Sequence, residues 1–562
     1  MGPALHPSVL VGDWMHPDCI SNHWLLVWVA EQLGEGRGIL HNGAYYWPIG
    51  DAPVLAGNGA EGVAYLPFHA ALGWPLGVVA YSSAVLVLNG MGGWCLGRAM
   101  GATATGSLVP AAAATVNPYL LTELSAGRFS QVSIGWMLLC LAAWLHLVEA
   151  PSWPRALRAG ALWAVTGFFY WYHAWFVALA LIGLLAACAL ASKPLCWRSL
   201  LLGAGTAAVL IAPWAWLFAD SWSAIPGAGE AFPPAQAALD SALPRFPMLG
   251  GPPDVGAISA LVWGLGLAGA IGALARGNHI QRWALGTCAL FTLLAMGPFA
   301  PWAPYTLLYD LAPPLRRFWW PLRHVALAGV LWAALGALWL RRFSWGPGIA
   351  WLAALSTPLL IAQFGDRHQV QTTRLELTPP GLQTLADLPE GVVLQLPLAP
   401  KASGVQLPLL YQLLHKKPML NGHAPWVERV RPPAWDARIA ANSYLSQLQA
   451  LERGEVDGTF QFVAADLEAL RASGLRWLVL DRATFPFALQ SAVKAHRAAA
   501  DALFGDPVVR GRGLRVWDLA LWSGKEAVPV PPVVWPEDLE PAGPERPLSA
   551  RRPHPPLIVL GP

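Results

Sequence analysis

The sequence predicts an α-helical polytopic membrane protein carrying a small α/β domain on its carboxy-terminal side. Three observations predict it. Apolar runs close to the roughly 20 residues needed to cross a bilayer follow one another between residues 77 and 364. The charges fall in the gaps between those runs, and successive gaps alternate in sign. The composition agrees: 55% of residues are hydrophobic, 12% are charged, mean hydropathy is +0.43 and there are 31 Trp. Trp is a side chain that favours the membrane–water interface.

The alternation sets the orientation. Arg98, Arg155 with Arg158, Lys193 with Arg198, Arg276 with Arg282, and Arg341 with Arg342 fill one set of short gaps. The longer intervening gaps hold Asp13, Asp18, Asp51, Glu61, Glu123, Asp220, Glu230, Asp240, Asp254 and Asp310. Lys and Arg stay on the cytoplasmic side of a membrane protein, so the acid-rich loops face outward. A net charge of +3 is too small to point to nucleic acid. Only Cys19 lies in an outer loop, and no CxxC or His-rich spacing marks a zinc site.

In chain order, residues 1–12 contain neither a signal peptide nor a membrane helix. Either the amino terminus is translocated without a leader or a first helix belongs upstream of Met1, and the second reading is favoured. Residues 19–33 are too short to span; Trp24, Leu25 and Trp28 opposite polar residues suggest a helix lying in the interface. Residues 62–76, with Pro67, Trp74 and Pro75, suggest a second interfacial or re-entrant piece. Spans follow at 77–97, 102–120, 131–149, 199–218, 257–275, 283–299, 324–340 and 347–364. The stretch 157–191 is too long for one helix and is interrupted by Tyr170-Trp171-Tyr172-His173, so it reads as two. That makes about ten spans by the length criterion.

After Phe364 the charged residues return. Short β-like runs at Val392–Leu396, Trp477–Leu480, Val508–Arg510 and Leu514–Leu519 alternate with helical patterns at 405–415 and 462–473, as in an α/β unit. The chain thus divides into an outer first loop with interfacial helices (1–76), a transmembrane bundle (77–364), an α/β domain (365–522) and a Pro-rich tail (523–562).

Three outer segments can carry chemistry. Gly12-Asp13-Trp14-Met15-His16-Pro17-Asp18 puts two carboxylates and an imidazole at the mouth of the bundle, and Tyr45-Tyr46-Trp47 with Asp51 adds aromatics and a third acid. A carboxylate can act as general base on a hydroxyl, and a pair can hold a divalent cation such as Mg or Mn beside a phosphate. Against that, wet loops collect acids without any chemistry. Glu123 to Gln131 places Arg128 among Gly127, Ser130 and Gln131; its planar fork suits phosphate, as a snorkelling helix-end Arg also would explain. Arg316, Arg317, Arg323 and His324 on the outer side break the positive-inside rule. An anionic lipid-phosphate head group would offset them, as would pairing with Asp310 or with the outer domain. His173, beside Tyr170 and Tyr172, is a weaker acceptor-site candidate. There is no Walker loop, no GxGxxG before a helix, no GxSxG and no HExxH.

The order of these pieces resembles multi-spanning membrane proteins related to the GT-C glycosyltransferases. The pieces are Gly12-Asp13, Trp24/Trp28, Tyr46-Trp47-Pro48-Ile49-Gly50, Asn117-Pro118-Tyr119, Gly127-Arg128-Phe129-Ser130-Gln131, Leu315–Arg323 and the Gln412–Gly422 segment with His415, Lys417 and Pro418. The resemblance covers nearly the whole chain. It implies a GT-C-like helix bundle in a bacterial inner membrane, with the α/β domain outside. It implies transfer of a sugar from a polyprenyl-phosphate donor to an extracytoplasmic glycan, lipid or protein. The family's first-loop acid, a catalytic base or metal ligand, maps onto Asp13 with Asp18 beside it. Arg128, Arg316, Arg317 and Arg323 would hold the donor phosphate, and His16, Tyr46, Asp51, Gln131 and His173 the substrates. Arg128 stands where the family often has His. The alternative is a non-catalytic envelope-assembly or transport protein that kept the fold; a transporter would carry ionisable residues near the midplane of its helices, and these spans hold almost none.

The topology is checked by single Cys residues at Ser403 and Ser344 in a background lacking Cys19. An impermeant thiol reagent on intact cells should label position 403 and spare 344. The reverse pattern would put the Asp13 loop in the cytoplasm.

Overall fold

The computed structural model describes residues 9–13, 16–39, 41–49, 52–53, 59–223, 260–298, 300–311, 321–363, 372–374, 381–398, 407–421, 432–485, 490–511 and 513–533. A strand, β1 (Val9–Val11), leads into α1 (Pro17–Gly34). His16 caps α1: its Nδ1 accepts from the Asp18 amide at 3.2 Å, and Pro17 takes the first helical position, where a missing N–H costs nothing. Short strands β2 (His41–Asn42) and β3 (Ala52–Pro53) pair antiparallel. Then come α2 (Gly59–Leu72) and α3 (Leu76–Ala99).

The run 102–120, expected as one span, is two helices, α4 (Leu108–Thr115) and α5 (Pro118–Ser125). Asn117 causes the break. A residue before proline is pushed out of the helical region, and Asn117 is extended, with its side chain accepting from the Tyr119 amide. Two further helices follow, α6 (Phe129–Val132) and α7 (Gly135–Glu149). Asn89, buried in the middle of α3, brackets their junction: its Nδ2 donates to Val132 O and its Oδ1 accepts from Gly135 N, each at 2.7 Å. The amide satisfies backbone groups that the break would otherwise orphan.

The 157–191 stretch breaks at a single extended residue, Tyr170, between α8 (Trp153–Phe169) and α9 (Trp171–Leu190). The bundle continues as α10 (Trp197–Ser223), α11 (Ala260–Arg276), α12 (His279–Ala295), α13 (Pro304–Leu311), α14 (Val325–Leu340) and α15 (Gly346–Gln363). Nearly every residue of α14 is buried; a helix apolar all round belongs at the centre of a bundle. Among the described residues five helices are long and apolar enough to cross a membrane: Leu76–Ala99, Phe129–Glu149, Trp171–Leu190, Trp197–Trp216 and Pro321–Leu340. Leu261–Arg276 and Gly346–Ser356 are shorter apolar helices.

Beyond the bundle, β4 (Thr372–Arg374) pairs antiparallel with β1. The helix α16 (Leu382–Asp387) precedes β5 (Val392–Leu396), and α17 (Leu407–His415), α18 (Pro433–Ala441) and α19 (Ser443–Arg453) follow it. Then β6 (Thr459–Gln461), α20 (Ala464–Ala472), β7 (Leu475–Asp481), α21 (Gln490–Phe504), β8 (Val509–Arg510), β9 (Leu514–Asp518) and β10 (Ala527–Pro529) close the described chain. A four-stranded sheet runs β5-β7-β9-β8, parallel at β5/β7 and antiparallel elsewhere.

The free edge of β5 is covered by residues 418–420, through Val393 N to Pro418 O and Leu420 N to Val393 O. The same segment bonds outward to the first loop, Met419 N to Ala44 O at 2.7 Å and Trp47 N to Met419 O at 3.0 Å. The first loop therefore extends the sheet and closes an edge that would otherwise be sticky. This corrects one expectation. Trp24 and Trp28 do not face a membrane surface: they are 4% and 5% exposed, stacked on each other, with Trp24 donating to Gln412 and packed on Tyr45. The polar residues of 412–421 are also committed internally. Lys416 pairs with Glu31, and Lys417 donates to the Leu388 carbonyl at the end of α16.

His415 is buried, and burial followed by the Lys417 charge pushes its pKa down to about 3. Its ordinary value is about 6.5. Below that pH the unfolded chain takes up a proton that the folded domain refuses, so stability falls as pH drops from 7 toward 4. His415→Gln should flatten the fall in unfolding free energy between pH 7 and 5, by up to about 1.4 kcal/mol per pH unit. An unchanged slope would show that His415 does not titrate between those states.

Candidate functional site

One end of the bundle is assembled by a close approach of two turns. Gly12 and Gly127 both take left-handed backbone, φ +113° and +70°. A Cβ on Gly12 would lie 2.6 Å from Cys19 Sγ, and one on Gly127 would lie 2.6 Å from Cys19 Cα. Only glycine fits either position. The contact is sealed by Asp13 N donating to Ser125 O at 2.7 Å. It carries Asp13, His16 and Asp18 at the start of α1 up to Glu123 in α5 and Arg128 at the head of α6.

Arg128 ties these together. Its Nε donates to Asp18 Oδ2 at 2.6 Å, its Nη1 to Glu123 Oε2 at 2.9 Å, and its Nη2 stands 3.4 Å from His16 Nε2. Burial works against the charge, but Glu123 and then Asp18 outweigh it and raise the guanidinium pKa. His16 moves the other way: burial first, then the Arg128 charge, lowers its pKa and favours the neutral ring. Asp13 lies within electrostatic reach of His16 and Cys19. One guanidinium against Asp18 and Glu123 leaves the cluster net negative. Arg128 thus serves as a counter-ion to Asp18 and Glu123.

The guanidinium already takes up Asp18 and Glu123, and among the described residues no group of three or more His, Cys, Asp or Glu is placed to hold a metal.

Arg323 is surrounded differently. It lies in the 3₁₀ turn Pro321–His324 that opens α14. Its guanidinium carbon is 4.3 Å from the Tyr172 ring centroid and 5.7 Å from that of Tyr170, the distances of a cation over aromatic faces. Its Nε is buried with no hydrogen-bond partner among the described residues, and the same holds for the hydroxyls of Tyr119 and Tyr170 and for Gln131 Oε1. Tyr119, Tyr170 and Glu123 are within electrostatic reach of Arg323, so this group adjoins the carboxylate cluster. No carboxylate among the described residues pairs with Arg323 within salt-bridge distance. Such orphaned buried polar atoms call for a partner. His173 is buried beside them, edge-on to Tyr170 at 4.9 Å.

The structure therefore brings Asp13, His16, Asp18, Arg128, Gln131, His173 and Arg323 to one end of the bundle. Tyr46 is elsewhere, buried in the clasp between first loop and α/β domain against Tyr45 and Trp435. Asp51, Arg316 and Arg317 lie outside the described residues. Glu123, Tyr119 and Tyr170 were not singled out as site residues. Their signals are an acid five residues before Arg128, a tyrosine one residue past Pro118, and a tyrosine at the break of the 157–191 stretch.

The Arg128 bridge is measurable as a double-mutant cycle. Arg128→Ala, Asp18→Asn and the double variant, compared by thermal unfolding in detergent, should show a coupling of about 1–3 kcal/mol. Additive losses would mean that the pair does not hold the two turns together.

No protein-family model and no curated protein sequence matches the chain. Among solved structures, one similar chain is the Archaeoglobus fulgidus oligosaccharyltransferase tethered with an acceptor peptide, at 10% identity, covering 93% of this chain and 72% of that one with a TM-score of 0.45. Another is ArnT from Cupriavidus metallidurans in the apo state, at 14% identity, 93% and 96% coverage and a TM-score of 0.40. The same protein bound to undecaprenyl phosphate matches at 13% identity, 93% and 97% coverage and a TM-score of 0.37. These structural neighbours are GT-C glycosyltransferases, and likeness at this level carries no argument about activity.

Proposed function

We propose that the chain is a membrane glycosyltransferase that moves a sugar from a polyprenyl-phosphate donor to an acceptor on the outer face of a bacterial inner membrane. The observation that carries this reading is the Arg323 group: a guanidinium without a carboxylate partner, whose buried Nε lacks a hydrogen-bond partner among the described residues, with the likewise unpartnered Tyr119 and Tyr170 hydroxyls and Glu123 near it, at one end of an apolar bundle. A phosphate ester of a long lipid satisfies both sides of that description. Its charge meets Arg323 through charge-assisted hydrogen bonds, and its chain stays in the bilayer. The order of motifs along the sequence supports the same reading.

The division of labour follows from the charges. Arg323 and the Tyr119 and Tyr170 hydroxyls hold the phosphate and stabilise the charge it gains on leaving. Asp13 takes the proton from the acceptor nucleophile as that nucleophile attacks the anomeric carbon. The bond from that carbon to the phosphate oxygen breaks, and polyprenyl phosphate departs. Asp18, held by Arg128 and backed by Glu123, fixes the loop that presents Asp13. Neutral His16 and Gln131 are placed to orient the sugar, and the α/β domain covers the mouth from outside.

Two variants separate the roles. Arg323→Ala should weaken binding of a polyprenyl phosphate by about 10- to 100-fold, the worth of one charge-assisted hydrogen-bond set. Asp13→Asn should retain that binding and lose about 10²–10⁴ of turnover. Unchanged lipid affinity in Arg323→Ala, or wild-type turnover in Asp13→Asn, would overturn the corresponding assignment.

A further inference from the structure

One buried acid has no part in the transfer chemistry described so far. Glu61, in the first turn of α2, is 1% exposed. Packing fixes its place: Gly62 presses α2 onto α1 so closely that a Cβ there would overlap the Val29 side chain. No Lys, Arg or His among the described residues lies within salt-bridge distance of Glu61. Its neighbours are hydroxyls. Tyr81 of α3 donates to Glu61 Oε1 at 3.3 Å, and the Ser133 side chain, at the break between α6 and α7, bonds with both. Tyr81 and Ser133 are buried too.

Counting protons decides the state of the acid. A hydroxyl has one proton to give. Ser133 gives its proton to the Phe129 carbonyl at 3.1 Å, and Tyr81 gives its own to Glu61. The bond between Glu61 and Ser133 therefore needs a proton from Glu61, which only a protonated carboxyl supplies. The surroundings agree, since an ionised carboxylate away from water and without a cation is costly.

Ser133 faces two ways. The ladder of α7 begins with Leu138 N bonding to Ile134 O, so the Ser133 carbonyl, one residue earlier, stands outside it. That carbonyl takes a hydrogen bond from the ring of His173 in α9. Asn89 grips Val132 and Gly135 on either side of it. His173 is edge-on to Tyr170 at 4.9 Å and within electrostatic reach of Arg323. Hydrogen bonds thus run from Glu61 through Ser133 to a ring beside the Arg323 group. Donating to a carbonyl also fixes the tautomer of that ring and leaves its other nitrogen an acceptor.

We propose that Glu61 is a positioning residue of the Arg323 site: as a neutral carboxylic acid it holds Ser133 so that His173 keeps one tautomer, whose second nitrogen accepts from a hydroxyl of the transferred sugar. The contact with the sugar rests on the transferase reading above; the neutral acid and the fixed ring do not.

The test compares the purified full chain in detergent with Glu61→Gln and with Glu61→Met, which fills the volume without the hydrogen bonds. The infrared difference between wild type and Glu61→Gln at pH 7 should contain the carbonyl stretch of a protonated carboxyl. Carboxylate bands in its place would overturn the neutral acid. Nitrogen-15 NMR of labelled histidine, with His173→Gln to assign the signal, should show one neutral tautomer in wild type and Glu61→Gln and a mixture in Glu61→Met. A mixture in wild type, or the same single tautomer in all three, would overturn the positioning role. On a polyprenyl-phosphate-linked sugar, Glu61→Met should lose about tenfold in turnover, the worth of one neutral hydrogen bond, with its affinity for polyprenyl phosphate kept. Glu61→Gln should restore that turnover, because an amide both accepts from Tyr81 and donates to Ser133. Equal losses in the two variants, or turnover and lipid affinity lost together, would reduce Glu61 to a structural residue. A wild type that consumes no donor sinks the transferase reading instead, and the infrared and NMR results still decide whether Glu61 holds His173. Should Glu61→Met not fold, the infrared difference and the tautomer in wild type and Glu61→Gln decide.

Discussion

A guanidinium drawn out of water must be matched by carboxylates, and at Arg128 that requirement organises one end of the bundle. Arg128 reaches Asp18 at 2.6 Å and Glu123 at 2.9 Å. Removing one partner of such a pair leaves a partly buried charge uncompensated, which costs far more than the pair contributes. The bridge can form only because Gly12 and Gly127 let two turns meet over Cys19. Everything proposed for the first loop depends on this, since the bridge fixes where Asp13 and His16 stand. It also sorts the charges. The negative cluster has its own cation built in, and the neighbouring Arg323 keeps a buried Nε without a partner among the described residues.

A second constraint ties the α/β domain to the same place. The edge of β5 is covered by residues 418–420, and those are covered by the first loop at Ala44 and Trp47. Arg438 adds a bond to the Trp47 carbonyl at 3.0 Å, and Trp47 Nε1 one to the Ser473 carbonyl at 2.9 Å. The domain is therefore fastened to the segment that carries the candidate base. Motion of one is coupled to the other through main-chain hydrogen bonds, which have no alternative partners once water is excluded.

Periodicity and charge gave away much of the fold. The strands Val392–Leu396 and Leu514–Asp518 lie where β-branched and aromatic runs put them, and the bundle helices fill the gaps between charged turns. What failed did so for physical reasons. The run 102–120 is apolar throughout, yet Asn117-Pro118 divides it, because proline's effect on its predecessor overrides hydropathy. The pattern of Trp24 and Trp28 shows an apolar face but not what covers it; protein covers it here, not lipid. Arg128 beside Gly, Ser and Gln reads as a phosphate fork in one dimension, and its partner Asp18 is 110 residues away. Arg323 was legible because three arginines in a gap that the charge pattern assigns to the outer side are anomalous in themselves. Its tyrosine surroundings were not, since they come from α5 and α9 only after folding.

The central claim is that the acid cluster and the Arg323 group act on one lipid-linked sugar. The most direct measurement is turnover on purified protein given a polyprenyl-phosphate-linked sugar, with and without an envelope extract as acceptor, following release of free polyprenyl phosphate by mass spectrometry. The account predicts release that requires both the acceptor and the native protein. Donor that binds stoichiometrically and is never consumed, across sugars and acceptors, would contradict it and leave a lipid-binding protein without transferase chemistry.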